Sequence, residues 1–235
     1  MFEIKGFIET SLIDWDGMIT AVIFLPRCNL ACPMCHNYGL VKNPEKYESA
    51  PFEKIECYLK ANRDFIDGVV VTGGEPTIYK HLPELCKKLK DLGMLVKLDT
   101  NGTMPDIIEK LYSEGLIDYV AMDVKTSLEQ DKYDLVCGIE GVDLDGIKRT
   151  IDFLLHSGID YEFRTTVVPT IMELGDVVKA ASCIAGAKKY VIQQFKPENA
   201  WDKRLKGVRP YFAKELLGAA EECRKYVGTV AVRGI

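Results

Sequence analysis

Three cysteine thiols stand close together in the sequence and could hold a metal. Cys28, Cys32 and Cys35 form a C-x3-C-x2-C pattern within the stretch RCNLACPMCHN. Thiolates are soft ligands that favour zinc, copper(I) or iron–sulfur clusters. A zinc ion would need a fourth ligand, and His36 is a candidate, although adjacent residues rarely both turn toward one small ion. Three thiols could instead bind three irons of a four-iron cluster and leave the fourth iron open to another ligand.

Polar and glycine-rich turns follow other apolar segments of strand length. They read VTGGEP (71–76), LDTNG (98–102), AMDVKT (121–126), FRTTVVP (163–169) and QQFKP (193–197). Glycine lets a ligand approach the backbone closely, and the charged residues can bind polar groups. Together these turns predict a ligand-binding rim.

Alternating strands and helices would bring these turns together. Strand-like runs lie at 19–25, 67–71, 94–99, 118–123, 161–168, 189–195 and 229–232. Helix-period segments separate most of them; one places Leu82, Leu85, Cys86 and Leu89 on a single face and ends at Gly93. This alternation predicts right-handed βαβ units around a parallel sheet, in which function gathers at the C-terminal ends of the strands.

Composition narrows the class of protein. The chain has 235 residues, 47% of them apolar, and a net charge of −5, so neither a nucleic acid nor a membrane is the expected partner. There is no apolar run of about 20 residues and no signal-peptide pattern, which predicts a cytoplasmic protein. Thiols stay reduced there, so the eight cysteines are not a disulfide framework. Five of them occur singly and are interpreted as small apolar side chains or bystanders: Cys57, Cys86, Cys137, Cys183 and Cys223.

The cysteine motif after the first strand, with GGEP after the second, resembles the radical S-adenosylmethionine (SAM) superfamily. Within it, the stretch GFIETSLIDWDGMITAVIFLPRCNLACPMCHN resembles the activating enzymes of glycyl-radical enzymes. It resembles in particular the subgroup of activating proteins of anaerobic ribonucleoside-triphosphate reductase. The likeness extends from about Gly6 to Pro197, which is most of the chain.

The resemblance implies a specific cofactor set. Cys28, Cys32 and Cys35 would hold one [4Fe–4S] cluster, and SAM would bind the open iron through its amino and carboxylate groups. One electron would then cleave SAM to methionine and a 5′-deoxyadenosyl radical, which abstracts a hydrogen atom. The chain lacks the inserted domain that carries auxiliary clusters in many relatives.

The resemblance also implies roles for residues on the rim. The cofactor-binding set would be Gly73, Gly74 and Glu75 by the methionine amino group, Asp99 and Asn101 near SAM, and Arg164 at its carboxylate. Met34 stands where relatives often have an aromatic residue beside adenine. Asp123 and Lys125 match the D-x-K pair of activating enzymes and are the catalytic candidates.

Each of these residues also has a structural interpretation. GGEP could be an ordinary turn, and Asp99 suits a turn before Thr-Asn-Gly. Asp123 and Lys125 could simply pair with each other on one strand face, and Arg164 could form a salt bridge.

The expected fold is an α/β partial (β/α)6 TIM-like barrel with a lateral opening, an N-terminal hairpin around 2–16 and a short C-terminal strand. We expect residues 1–235 to form a single radical SAM domain, with a core at about 17–197 and a C-terminal helix and strand at about 209–233.

An uncovered lateral opening favours a large substrate. The predicted function is therefore the installation of a glycyl radical on a partner protein, with an electron donor such as flavodoxin or ferredoxin. One alternative is a radical SAM enzyme that modifies a small molecule, nucleotide or peptide. The other is a non-enzymatic iron–sulfur or zinc protein, against which GGEP, the D-x-K pair and Arg164 argue, because such a protein needs no SAM site.

Overall fold

The computed structural model describes residues 2–235, which form two compact units. The first unit comprises residues 2–29, 37–100 and 104–120, and the second comprises residues 30–36, 101–103 and 121–235. The cysteine loop, residues 28–36, therefore contributes Cys28 to the first unit and Cys32 and Cys35 to the second.

Eight strands follow one another in chain order in a mixed sheet that is not closed. They are β1 Gly6–Ser11, β2 Thr20–Leu25, β3 Gly68–Gly73, β4 Leu95–Thr100, β5 Tyr119–Asp123, β6 Asp160–Val167, β7 Lys189–Gln194 and β8 Thr229–Arg233. In the first unit, β1 is antiparallel to β2, and β2, β3 and β4 are parallel. In the second unit, β6, β7 and β8 are parallel. The expected α/β class is confirmed, and β1 is the N-terminal extension.

Helices separate the parallel strands. They are α1 Tyr38–Lys42, α2 Phe52–Ala61, α3 Leu82–Asp91, α4 Pro105–Ser113, α5 Gln130–Cys137, α6 Leu144–His156, α7 Leu174–Cys183 and α8 Ala213–Cys223. Short 3-10 turns lie at Pro44–Lys46, Pro76–Ile78, Pro197–Asn199 and Lys203–Gly207. Within residues 2–235, no helix combines the length and apolar character that crossing a bilayer requires.

In the first unit, β4 fixes the N-terminal extension through a buried lysine. The Lys97 side chain is only 1% exposed, and its Nζ donates to the Asp14 carbonyl oxygen at 2.5 Å. The same ammonium lies 5.2 Å from the centre of the Tyr119 ring. A buried ammonium needs hydrogen-bond or aromatic partners, so these two contacts hold the turn after β1 against β4.

In the second unit, one buried carboxylate connects three strands. Glu162 on β6 is 1% exposed and accepts two hydrogen bonds from Arg233 on β8, at 3.0 and 2.9 Å. Lys189 on β7 lies 3.0 Å from the same carboxylate. These ion pairs connect the N-terminal parts of β6 and β7 to the C-terminal end of β8.

Candidate functional site

Both ends of the cysteine loop are fixed to the turn after β3, within the first unit. The Arg27 carbonyl oxygen accepts from the Glu75 amide at 2.8 Å, and the Arg27 amide donates to Leu40 at 3.1 Å. At the other end, Asn37 Nδ2 donates to the Gly73 carbonyl oxygen at 2.8 Å. Arg27 has a φ of 64°, which is uncommon for a residue with a side chain. The chain thus turns sharply immediately before Cys28.

The two glycines of this turn are required by the neighbouring backbone. Gly73 has a φ of +121°, and a Cβ there would overlap the Leu25 backbone. A Cβ on Gly74 would overlap the Arg27 carbonyl oxygen. The sequence suggested that glycine leaves room for a ligand; the structure adds a packing requirement that holds without any ligand.

Glu75 is held in one orientation. Its side chain is buried, and Oε1 accepts from the Thr77 amide at 3.0 Å, the Thr77 hydroxyl at 2.6 Å and the Thr100 hydroxyl at 2.8 Å. The sequence analysis did not identify Thr77 or Thr100. The bond from the Thr77 amide caps the short 3-10 turn at Pro76–Ile78, and the only sequence signal for that turn is the proline at its first position. Asp99 is the other predicted residue of this unit; its Oδ1 lies 4.0 Å from Lys97 Nζ.

The second unit carries the remainder of the cysteine loop. The Ala31 amide donates to the Cys137 carbonyl oxygen at 2.9 Å, and the Asp202 amide donates to Pro33 at 2.9 Å. A tight turn joins two of the thiol residues, because the Cys35 amide donates to the Cys32 carbonyl oxygen at 3.0 Å. Met34 is buried between them, at 8% exposure.

The donor chemistry of this loop fits an iron–sulfur cluster. Cys28, Cys32 and Cys35 are thiols with partly exposed side chains. A hydrogen bond with Cys137 is the largest of the influences that lower the pKa of Cys32 to about 7, aided by the Lys125 charge and opposed by burial. A thiolate is the form that binds iron, so this thiol is substantially ready at neutral pH. Across residues 2–235, no three His, Cys, Asp or Glu side chains lie where they could hold a single metal ion.

Three charged side chains meet in the second unit. Asp123 ends β5; its Oδ2 lies 2.9 Å from Lys125 Nζ, and its Oδ1 lies 2.8 Å from Arg164 Nε on β6. Burial raises the pKa of the Asp123 carboxyl, but the charges of Arg164 and Lys125 outweigh it and hold that pKa well below its usual range. Burial lowers the pKa of Lys125, but the charges of Asp123 and Cys32 raise it well above its usual value. We call these three residues the ionic trio; it holds two cations and one carboxylate.

Two further residues that the sequence analysis considered have local partners. Asn101 Oδ1 accepts from the Thr103 amide at 3.0 Å and from the Thr103 hydroxyl at 2.7 Å, so this oxygen serves the turn after β4. His36, the candidate fourth ligand of a zinc ion, lies near Lys196. Burial, followed by the Lys196 charge, lowers the pKa of His36.

Helix α5 supplies two contacts that the sequence analysis missed. The hydroxyl of buried Tyr133 accepts from the Lys125 amide at 3.1 Å. One turn later, the thiol of buried Cys137 is hydrogen-bonded to Cys32. The sequence of this helix, QDKYDLVC, gives no signal of either contact beyond the burial that Tyr and Cys commonly have.

Comparison with known proteins identifies the family. The model of the radical SAM superfamily matches residues 22–181. The chain belongs to this superfamily. It is also 34% identical, over 99% of its own length and 96% of the other protein's, to a candidate glycyl-radical enzyme activating enzyme of Methanocaldococcus jannaschii. A candidate GTP 3′,8-cyclase of Pyrococcus horikoshii shares 34% identity over 52% of this radical SAM chain and 39% of the cyclase.

A solved structure has the same fold. SuiB of Streptococcus suis, in a crystal structure with bound S-adenosylmethionine, matches with a TM-score of 0.68 and 16% identity. The match covers 91% of the present chain and 52% of SuiB. At this identity the likeness establishes the fold alone.

Proposed function

We propose that this radical SAM protein installs a glycyl radical on a partner protein. The observation that carries the proposal is the similarity to the M. jannaschii protein, which extends over nearly the whole of both chains and whose name describes this activity. The M. jannaschii match leaves at most 4% of that protein uncovered, so the shared region includes almost everything that protein has.

Cys28, Cys32 and Cys35 would hold one [4Fe–4S] cluster in this proposal. When bound, such a cluster supplies the electron that cleaves SAM and yields a 5′-deoxyadenosyl radical. The protein itself would keep the loop ordered, because hydrogen bonds hold it at Arg27, Ala31, Pro33 and Asn37. Preorganised ligands lose less conformational entropy when a metal group binds.

SAM carries an ammonium and a carboxylate, and the motif residues include a candidate partner for each. We assign the ammonium to Gly73, Gly74 and Glu75, because the Glu75 carboxylate is already oriented by two threonines. We assign the carboxylate to Arg164, since the ionic trio has an excess of positive charge.

The remaining predicted residues have supporting roles. Asp99, Asn101 and Met34 would contact the rest of SAM. Asp123 and Lys125 would hold the Arg164 side chain in place and balance the charge around it.

The partners follow from this chemistry. The substrate would be a glycyl-radical protein, from which the 5′-deoxyadenosyl radical removes a glycine α-hydrogen to give 5′-deoxyadenosine. A flavodoxin or ferredoxin would supply the electron, and we place the reaction in the cytoplasm, on a single domain formed by the whole chain.

A nucleotide or another small molecule is the second candidate substrate. The observation that favours it is the similarity to the P. horikoshii cyclase candidate, whose name specifies GTP. That match covers only about half of this chain, so it is better support for a shared use of SAM than for GTP as the substrate.

An anaerobic coupling assay separates these candidates. Reconstituted, dithionite-reduced protein with SAM alone should release 5′-deoxyadenosine slowly. Addition of a glycyl-radical protein should raise that rate and produce an EPR doublet on the partner, in step with 5′-deoxyadenosine. The control is the same partner with its radical glycine changed to alanine. If GTP alone, without any protein partner, couples SAM cleavage to its own modification, the activating-enzyme proposal is wrong. Protein that binds zinc and no iron would refute both candidates.

A further inference from the structure

The end of helix α5 lies directly against the cysteine loop within the second unit. The Cys137 carbonyl oxygen accepts from the Ala31 amide at 2.9 Å. The next residue, Gly138, ends the helix at a φ of +68°, and a Cβ there would overlap the Ala31 carbonyl oxygen. Pro33 is also close, since that Cβ would stand 3.4 Å from its ring. The helix end therefore contacts the residues on both sides of Cys32.

The Cys137 side chain points to the same place. It is fully buried, and its thiol is hydrogen-bonded to the Cys32 sulfur. A thiol has one weak donor hydrogen, and a thiolate, free or bound to iron, can accept it. Cys137 is thus placed to donate to a cluster ligand.

The rest of the helix keeps Cys137 in this position. Tyr133 lies one turn earlier, is fully buried, and accepts from the Lys125 amide at 3.1 Å. The helix end is held by the hydrogen bond from the Ala31 amide to the Cys137 carbonyl oxygen at 2.9 Å. Because the helix is anchored at both points, the thiol has little freedom to turn away from Cys32.

We propose that Cys137 is a positioning residue that donates a hydrogen bond to the sulfur of the cluster ligand Cys32 and thereby raises the cluster's reduction potential. The inference rests on the cluster assigned under Proposed function. Hydrogen bonds to ligand sulfurs withdraw electron density and favour the reduced cluster, whose negative charge is greater. Cys137 is not a fourth ligand in this proposal; the cluster keeps its open iron.

The test compares Cys137→Ala, which removes the donor, with Cys137→Ser, which keeps a donor of similar size. The matched control is Cys223→Ala, another fully buried cysteine of the same unit, whose thiol faces Val177 at 3.8 Å. Each protein is reconstituted anaerobically, its iron is counted, and the midpoint potential is measured by an EPR-monitored redox titration. Pulsed ENDOR spectra in H₂O and D₂O then look for an exchangeable proton coupled to the reduced cluster.

We expect Cys137→Ala to bind a full complement of iron and to shift the midpoint to a more negative potential than Cys223→Ala. Cys137→Ser should return the potential toward that of the unmodified protein. One exchangeable proton coupling should be present in the unmodified protein and absent from Cys137→Ala.

Three results would overturn the inference. They are a full-iron Cys137→Ala protein with the potential of the control, equal shifts in the Ala and Ser variants, and ENDOR spectra identical in all variants. If Cys137→Ala does not fold, Cys137→Ser decides, since its ENDOR spectrum must still differ from that of the unmodified protein. An unmodified protein that binds no iron refutes the proposed function itself, which is a distinguishable outcome.

Discussion

The turn after β3 and the ionic trio are both candidate SAM-binding regions, but they are built in different ways. In the turn, Gly73 and Gly74 fit against backbone atoms where no side chain has room, and the Glu75 carboxylate is buried. In the ionic trio, the contacts are between side chains that remain partly exposed, with Asp123 at 28% and Lys125 at 22%.

The difference indicates how each region should respond to change. A region defined by steric fit fails when any atom is added, because packed backbone has no free volume. A region defined by charge balance should tolerate changes of side-chain shape, but it should lose affinity or stability when the ratio of cations to carboxylates changes. The predictions below test this contrast.

The largest effect is expected for Gly74→Ala. The added Cβ would overlap the Arg27 carbonyl oxygen, so the cysteine loop and the turn must separate. We expect a loss of about 3 kcal/mol of unfolding free energy, or insoluble protein, measured by urea denaturation of the apoprotein. Gly218→Ala on α8 is the control: apart from its chain neighbours and the nearby backbone of its own helix, no atom lies within 4 Å of the added Cβ, so it should be neutral or slightly stabilising. Equal stability of the two variants would show that Arg27 moves easily and that the steric account is wrong.

An intermediate effect is expected for Arg164→Ala. The change removes one cation of the ionic trio and the proposed partner of the SAM carboxylate. SAM binding should weaken by about 1.5–3 kcal/mol, as measured by calorimetry on the reconstituted protein. Arg224→Ala, which removes a surface arginine paired with Glu221, should leave the affinity unchanged. Unchanged affinity in Arg164→Ala would mean that Arg164 only supports the strands.

The smallest effect is expected in acid. The charges of Arg164 and Lys125 hold the pKa of Asp123 below its unfolded value, so its contribution to stability is present above that value and lost as the pH falls through the folded pKa. The unfolded value is about 3.9. The unfolding free energies of the unmodified protein and Asp123→Asn should therefore converge by about 1 kcal/mol between about pH 5 and pH 3.

Urea midpoints at several pH values measure this convergence. Asp160→Asn, which changes an exposed carboxylate, is measured in parallel as the control. A difference between the unmodified protein and Asp123→Asn that widens toward acid would contradict the charge account.

Regular features of the fold were predictable from the sequence. Burial of Leu82, Leu85, Cys86 and Leu89 on one face of α3 followed from helical periodicity and is confirmed. All seven expected strands are present as β2 to β8. Most of the candidate motif residues stand out in the sequence because they lie at or just after the end of a strand, where the periodic pattern gives way to polar residues, whereas Arg164 lies within β6.

The contacts between distant residues were not predictable. Periodicity indicates that Cys137 is buried but not that it lies beside Cys32, more than a hundred positions earlier. Likewise, Gly74 is visible as a glycine, but its collision with Arg27 depends on the left-handed conformation of that arginine. Such facts depend on how strands are brought together, which one sequence does not specify locally.

The hydrogen bonds at the two ends of the cysteine loop have a consequence for recovery after exposure to air. The hydrogen bonds at Arg27 and Asn37 hold the two ends of the loop without any metal. Bringing the ends of a loop together lowers the conformational entropy of the chain, and here folding has already brought the two ends together. Oxygen that strips a metal group from this loop would therefore leave the entrance and exit of the loop in place. Reloading then has to reorder only the thiols between them, so damage by air should be reversible without refolding.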